Sequence, residues 1–303
     1  MKFTAQIMTG IAACIMLFTG MTPASSDDKS IRLLVPHKVQ LQLLGWAAKP
    51  TGKQRSTIST DKCLPLDDPG LRDQSRRFVE LMIWCQAIKT SGIADSITLI
   101  PFPGQARAFA LLNSGKADGF GNSLFRFRVE KKTDILKFTS PVIAIGDYQV
   151  GLFTAENRKD VLNVRTRNGL AKLTGITVSK WVIDRKTMYS LNLERVQEVT
   201  RWELIAKMIE GGRADFTFSR LDRKVIDQHG IKMLRIEGLK ASLQDPRVLI
   251  IQRDNERLFA AVQSFISANT KAIRDAFVLS NFITEKYTGW PDVTKQSPEN
   301  NSG

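Results

Sequence analysis

Histidine is almost missing from this chain, since only His37 and His229 occur in 303 residues. A metal site built on several imidazoles is therefore excluded, and a histidine general base has few candidates. The sequence also lacks a G-x-S-x-G elbow, a phosphate-binding P-loop and an H-E-x-x-H pair. We therefore predict a protein that is not an enzyme, with no catalytic residue, no metal and no cofactor.

Cysteine is nearly as scarce, with three residues in the chain. Cys14 lies in the N-terminal segment, which leaves Cys63 and Cys85. An even pair in an exported protein predicts a disulfide. The alternative is a catalytic thiol, but no nearby histidine is available to activate one.

Long apolar runs are confined to the N-terminus. Residues 7–18 are apolar, follow Lys2 and precede small residues at 22–24. This run is short for a membrane span, which needs about 20 residues, and it predicts a signal peptide over residues 1–24. A lipoprotein box ending at Cys14 is the alternative, although the apolar run would then continue past the cut. We expect a secreted, periplasmic protein.

Acidic residues are outnumbered, and the formal net charge is +14. Residues 1–24 contain one basic residue and no acid, so the rest of the chain keeps a charge of +13. Such a balance favours anionic partners. Export makes nucleic acid an improbable partner, and the basic residues are spread along the chain. A solvated basic surface and a basic cleft are both compatible with this pattern.

Two segments almost a hundred residues apart share one pattern: SGKADGFGNS at 114–123 and GGRADFTFSR at 211–220. In each, an apolar periodic run ends at glycine and is followed by a basic residue, Ala, Asp and a short apolar run. Glycine commonly ends a helix in the left-handed conformation, so the pattern predicts helix, stop and strand. Asp118 and Asp215 are best interpreted as structural residues that bond turn amides. Since ligands collect beyond strand ends in open α/β sheets, we expect two ligand-facing edges.

The remaining pattern alternates strands with helices, which indicates a wound α/β sheet. The predicted strands are 31–35, 97–100, 177–181, 195–199, 231–235 and 248–252. The predicted helices are 70–91, 104–113, 201–209 and 220–228, with a long helical region over 255–286. Residues 46–69 suggest one irregular excursion, and 291–303 a flexible tail. The length fits two domains of ordinary size.

This order of elements, with KADGFGNS, KFTSPVIAIGDYQVGLF, GRADF and VLIIQRDN, resembles the extracellular solute-binding proteins of ABC transporters, in the type II group that handles amino acids. The resemblance implies an α/β fold of two lobes, each with a wound mixed sheet flanked by helices, joined by two crossover strands. Lobe 1 would be 31–146 plus 248–290, and lobe 2 would be 148–245.

The same resemblance implies a monomer that captures a small polar solute between its lobes and delivers it to an ABC transporter membrane permease. A sensory or accessory binding protein without a transporter is the alternative, and an enzyme on the same scaffold is another.

The chain also departs from the family pattern. Members that bind α-amino acids usually carry an arginine clamp for the carboxylate upstream of the F-T-S-P junction. Here Lys131 or Lys132 stands near that position, with Arg126 and Arg128 further upstream. The usual acceptor of the amino group would fall at or next to Arg220, and an arginine cannot accept an ammonium. An anionic solute is therefore predicted in place of a standard α-amino acid.

Candidate ligand contacts follow from this comparison. Four of them follow predicted strand ends, and two tryptophans could stack on a solute. Residues 180–187 occupy the position where family members wrap a helix N-terminus around an anion. Turn formation, helix-surface and core-packing roles are the alternatives for each residue. The predicted set is Trp46, Arg107, Asn122, Ser123, Arg128, Lys132, Lys180, Trp181, Thr187, Ser219 and Arg220.

Overall fold

A computed structural model describes residues 30–37, 49–50 and 56–295, and this part of the chain folds around two main β-sheets. The strands are β1 Ser30–Pro36, β2 Lys49–Pro50, β3 Ser56–Ser59, β4 Ser96–Phe102, β5 Gly119–Phe120, β6 Leu124–Phe125, β7 Leu136–Ile143, β8 Gln149–Ala155, β9 Thr174–Val178, β10 Arg195–Val199, β11 Thr217–Arg220, β12 Val225–Gln228, β13 Ile231–Ser242 and β14 Arg247–Gln252. The helices are α1 Arg76–Ser91, α2 Gln105–Asn113, α3 Lys159–Leu162, α4 Arg167–Ala171, α5 Val182–Tyr189, α6 Glu203–Glu210, α7 Glu256–Ala268 and α8 Thr270–Leu279.

The first lobe is built on an eight-stranded mixed sheet in the order β2-β3-β4-β1-β5-β14-β6, with β7 also paired to β14. Strand β1 runs parallel to β4 and β5, whereas β14 runs antiparallel to its three partners. Side chains alternate across a strand, so Leu33 and Val35 pack on one face with α1, α7 and α8, while Leu34 packs on the other face with α2. Both faces are therefore covered by helices.

The second lobe has a four-stranded antiparallel sheet in the order β11-β8-β13-β12, and a parallel pair of β9 and β10. A bridge between Gly175 and Phe216 joins the pair to the start of β11. Two buried clusters lie in this lobe, one around Leu152 and Phe216 and the other around Phe153 and Ile205. The predicted two-lobed α/β architecture is confirmed.

Two short connections link the sheets. One joins β7 to β8 through residues 144–148, and the other joins β13 to β14 through residues 243–246. Residues 291–295 form a third contact, because Asp292 bridges to Lys240 of β13 and Val293 is buried in the core of lobe 2. The predicted flexible tail is thus wrong for residues 291–295, since their backbone and one apolar side chain are paired and buried; residues 296–303 lie outside the described part.

The repeated motif has the predicted structure in both copies. Helix α2 ends before Gly115 and α6 before Gly212, and both glycines have positive φ angles, 65° and 69°. Lys116 N donates to Leu111 O at 2.9 Å, and its counterpart Arg213 N donates to Met208 O at 2.8 Å. These are the closing bonds of the same helix C-cap.

The aspartates of the two motifs also have matching roles. Asp118 accepts from the backbone N of Arg32 at 2.8 Å, and Asp215 accepts from that of Thr174 at 2.7 Å. Each aspartate therefore has a structural role, as predicted, but the amide that it bonds belongs to a neighbouring strand and not to a turn.

The helix predicted over 220–228 is wrong. Residues 217–220 complete β11, and Val225–Gln228 forms an edge strand antiparallel to β13. His229 and Gly230, with φ angles of 57° and 79°, connect β12 to β13 as a two-residue turn. Two consecutive positive φ angles define the type I′ hairpin, and this local turn outweighs the apolar periodicity.

Three further boundaries differ from the sequence-based expectation. The long helix begins at Arg76, where Ser75 caps it by accepting from Phe78 N. The strand predicted over 177–181 is Thr174–Val178, and Trp181 instead caps helix α5. The excursion predicted over 46–69 contains strand β3, which lies between β2 and β4 in the first sheet.

The predicted disulfide is present between Cys63 and Cys85, whose Cα atoms lie 5.4 Å apart. It ties the loop before α1 to the buried middle of that helix. Closing a loop of this length contributes about 3 kcal/mol through the unfolded state.

Candidate functional site

A cavity of about 300 Å³ lies between the two sheets, next to both connections. Such a volume is at the small end for ligand pockets. The first lobe, the connections and the second lobe all contribute to its walls. The lining residues are Phe125, Phe127, Arg128, Tyr148, Val150, Trp181, Val182, Ile183, Asp184, Phe218, Ser219, Arg220 and Leu243.

The first lobe presents two phenylalanines from the segment L-F-R-F-R. Phe125 ends β6 and stacks on Tyr148 with ring centroids 5.8 Å apart. Phe127 lies in the 3-10 turn Arg126–Arg128, which is fixed because Phe127 N donates to Asp245 Oδ2 at 3.2 Å. The alternation of Phe and Arg thus places both rings at the cavity.

The second lobe contributes the start of α5 and the end of β11. Trp181 N donates to Val178 O at 2.8 Å, which turns the chain directly from β9 into the helix. Trp181 keeps 40% of its surface exposed at the cavity. Phe218 and Ser219 stand on adjacent positions of β11, which pairs with β8.

Asp184 is the one carboxylate on the cavity wall. It lies in the first turn of α5, and within residues 30–37, 49–50 and 56–295 its side chain has no hydrogen bond or ion pair. Burial raises the pKa of Asp184 from 3.8 to about 6, because removing water disfavours the charged form.

This shift predicts a defined pH dependence of stability. Between about pH 4 and pH 6 the folded protein binds more protons at Asp184 than the unfolded chain does, so the free energy of unfolding falls as pH rises through this window and is flat above it. The pKa change of Asp184 corresponds to about 3 kcal/mol. We expect Asp184→Asn to lose this slope and to be more stable than wild type at pH 7.

The measurement is urea unfolding of both proteins from pH 4 to pH 8. Comparing wild type with the variant isolates Asp184 from the other carboxylates. Parallel pH profiles for the two proteins would contradict the assignment.

A buried polar network lies beside the cavity, at the base of the connections. Ser123 and Arg76 both donate to Glu80 Oε1, and Arg247 Nε donates to Ser123 Oγ at 2.8 Å. The Arg247 guanidinium lies 4.5 Å from the ring centroid of Phe125. Burial, with the nearby Arg76 charge, lowers the pKa of Arg247 to about 9, so this guanidinium remains protonated at pH 7.

Four of the predicted contacts lie together on the cavity wall: Arg128, Trp181, Ser219 and Arg220. The two arginines are exposed and have partners. Arg220 donates to both carboxylate oxygens of Asp222 at 2.9 and 2.6 Å, and Arg128 Nη1 donates to Gln105 Oε1 at 2.9 Å. That these four bind a ligand stays a prediction.

The other predicted residues are not on this wall. Ser123 belongs to the buried network, Asn122 is buried beside it, and Thr187 is buried within α5. Arg107 and Lys180 are exposed, and the Lys132 ammonium lies 4.9 Å from the ring centroid of Phe109. Trp46 falls outside the described residues.

Sequence reasoning missed Asp184 and four of the five aromatic residues on the wall, since only Trp181 was predicted. The signal was present in L-F-R-F-R and in W-V-I-D, where an acid sits among apolar residues at a helix start. Without the fold, an acid there has an ordinary explanation as a favourable charge at the helix N-terminus.

Among the described residues, no group of three or more His, Cys, Asp or Glu side chains could hold a metal ion. In that same part of the chain, no helix is both long and apolar enough to cross a membrane.

No protein-family model matches the sequence, and the search of curated proteins found no match. Solved structures do match. Substrate-binding domain 2 of Lactococcus lactis GlnP, in an open conformation, is 12% identical with a TM-score of 0.50, over 87% of this chain and 97% of that one.

Two further structures are similar over most of their length. The periplasmic VFT2 domain of Bordetella pertussis BvgS is 14% identical, with a TM-score of 0.49 over 85% of this chain and 94% of that one. The ancestral amino acid-binding protein AncCDT-1, a precursor of cyclohexadienyl dehydratase, is 10% identical, with a TM-score of 0.45 over 84% and 96%.

The interlobe cavity and the likeness to the GlnP domain lead to one conclusion about architecture. The chain has the two-lobed fold of type II solute-binding domains.

Proposed function

We propose that this protein is a secreted, periplasmic solute-binding protein that captures a small polar solute between its lobes and delivers it to an ABC transporter permease. The observation that carries the proposal is the cavity, since residues of both lobes and both connections line it. A solute bound there touches both lobes at once.

Hinge closure follows from this placement. The lobes have separate buried clusters and are linked by two short connections, so each can move as a unit. A ligand stabilises the closed form only by the contacts that it gains on closure. Tyr148 and Leu243, one on each connection, lie in the cavity wall, which couples occupancy of the cavity to the hinge.

Export is supported by the disulfide, because disulfides persist in oxidising compartments. The predicted signal peptide over residues 1–24 lies outside the described residues. Cleavage after residue 24 would be checked by N-terminal sequencing of the periplasmic protein.

Tryptophan fluorescence tests closure directly. Trp181 lies at the cavity and Trp202 lies elsewhere in lobe 2 against His229, and both are similarly exposed, at 40% and 44%. We expect a bound solute to shift the emission of wild type and of Trp202→Phe, and to leave that of Trp181→Phe nearly unchanged. The solute would be found by a thermal-shift screen of amino acids, amines, carboxylates and sugars.

Small-angle scattering supplies the second readout, because closure reduces the radius of gyration. A solute that stabilises the protein without closure, or that shifts Trp202 in place of Trp181, would contradict the proposal. Turnover of the solute would indicate an enzyme. Stimulation of a permease ATPase by the loaded protein distinguishes transport from sensing.

A further inference from the structure

The charged side chains on the cavity wall differ in whether a protein group already contacts them. Arg220 is held by Asp222 through two hydrogen bonds, and its side chain is 66% exposed. Arg128 is exposed and donates to Gln105. Asp184, in contrast, is half-buried and, in the described part of the chain, has no partner for its carboxylate.

Partial burial removes water from this carboxylate without supplying a protein partner, so a ligand cation would gain an interaction there that no described protein group provides. The charged or titratable groups that face it from the cavity wall are Arg128, Tyr148 and Arg220. Lys186, on the same helix, lies 5.7 Å from the ring of Phe127 and reaches toward the other lobe. On the wall formed by the described residues, Asp184 therefore lacks a partner, whereas Arg220 is paired with Asp222 and Arg128 donates one hydrogen bond to the neutral side chain of Gln105.

The rest of the cavity suits a cation with an apolar body. Five aromatic rings line it, from Phe125, Phe127, Tyr148, Trp181 and Phe218. Ring faces attract ammonium groups within about 6 Å, and the attraction grows where water is excluded. Val150, Ile183 and Leu243 complete an apolar wall. A multiply charged anion would leave these ring faces without a matching group.

We propose that the cavity binds a small organic ammonium compound, with its cationic group accepted by Asp184 and its apolar body packed against the aromatic rings. The inference rests on the proposed function and names its ligand class. It replaces the anionic solute predicted from the sequence, which rested on the lysines near the clamp position and on Arg220, here paired with Asp222.

A matched series of probes tests the charge. 2-Phenylethylammonium, 2-phenylethanol and phenylacetate share one ring and differ in charge, and choline adds a quaternary ammonium. We expect the ammonium compounds to stabilise wild type at pH 7.5, and phenylacetate not to do so. Affinity for them should fall as pH drops below about 6, where Asp184 becomes protonated.

Variants assign the effect to Asp184. Asp184→Asn keeps the side-chain size, and we expect it to weaken ammonium binding by about tenfold to a hundredfold, the range for a lost charged hydrogen bond. Glu194→Gln is the matched control, because it removes an exposed negative charge of the same lobe away from the cavity wall. It should bind like wild type.

The two proposals fail differently. If phenylacetate or a sugar binds with hinge closure and no ammonium compound does, the proposed function stands and this inference is overturned. Equal ammonium affinity in wild type and Asp184→Asn also overturns it. If no member of the whole panel binds, both proposals fail.

Discussion

Replacing Glu80 by alanine is expected to destabilise lobe 1 by about 4 kcal/mol, because breaking a buried charge network leaves its cations unpaired. The Glu80 side chain has no exposed surface and accepts from Arg76 and Ser123, and its Oε1 lies 4.0 Å from Arg247 Nε. Removing it leaves Arg247, itself 7% exposed, in a low-dielectric site without an acid.

The measurement is denaturant unfolding at pH 7 with the disulfide intact. Glu210→Ala, an exposed glutamate at the end of α6, is the control and should change stability by no more than about 0.5 kcal/mol. A Glu80→Met/Arg247→Met double variant should recover much of the loss, since apolar residues of similar size often replace buried ion pairs without cost. Equal stability of Glu80→Ala and wild type would show that the network contributes nothing.

The position of this network links stability to the hinge. Arg247 begins β14 immediately after the second connection, and its guanidinium lies over Phe125, which stacks on Tyr148 at the end of the first. The buried guanidinium of Arg247 therefore links the two connections, the second through the backbone and the first through Phe125 and Tyr148. Ser123 was predicted as a ligand contact because it follows a strand end. In the structure it belongs to the buried network, and a polar residue after a strand looks the same in the sequence in either role.

The sequence predicts the architecture well where local rules and burial agree. Gly115 and Gly212 end their helices as expected, and the following aspartates fix neighbouring strands. The prediction fails over 220–228, where the His229 and Gly230 turn selects a hairpin although apolar residues recur at helical spacing. A two-residue turn with positive φ angles is a local signal, but histidine at its first position conceals it.

The site is less accessible to sequence reasoning, because it is assembled from five separate segments. They contribute Phe127, Tyr148, Asp184, Phe218 and Leu243, which are far apart in the chain and meet only when the two lobes face each other. Ser219 and Arg220, predicted to follow a strand, are the last two residues of β11 and line the cavity, but their position in the sequence gave no information on Asp222 as the partner of Arg220. The charge of the cavity thus depends on pairings that spacing alone does not show.

Val293→Asp is expected to destabilise the second lobe by about 4 kcal/mol, since it loses a buried apolar side chain and buries a charge without a partner. Val293 is 2% exposed in the core of that lobe, and its N donates to Lys240 O at 2.8 Å. The preceding residue, Asp292, accepts from Ser242 Oγ at 2.5 Å. Polar composition alone predicts a flexible tail here, which would make the substitution harmless.

Val225→Asp supplies the matched control, because Val225 is 46% exposed on the edge strand β12 of the same lobe. Its effect should stay within about 0.5 kcal/mol. Hydrogen exchange of β13 amides reports the same contact locally, and Val293→Asp should accelerate exchange near Lys240, which also pairs with Pro291 O. If both variants unfold at the same denaturant concentration, the segment after Trp290 does not stabilise lobe 2. A loss confined to Val293→Asp establishes that the chain, after leaving helix α8 of lobe 1, is anchored on lobe 2, where the Arg235 guanidinium also lies 4.7 Å from the Trp290 ring centroid.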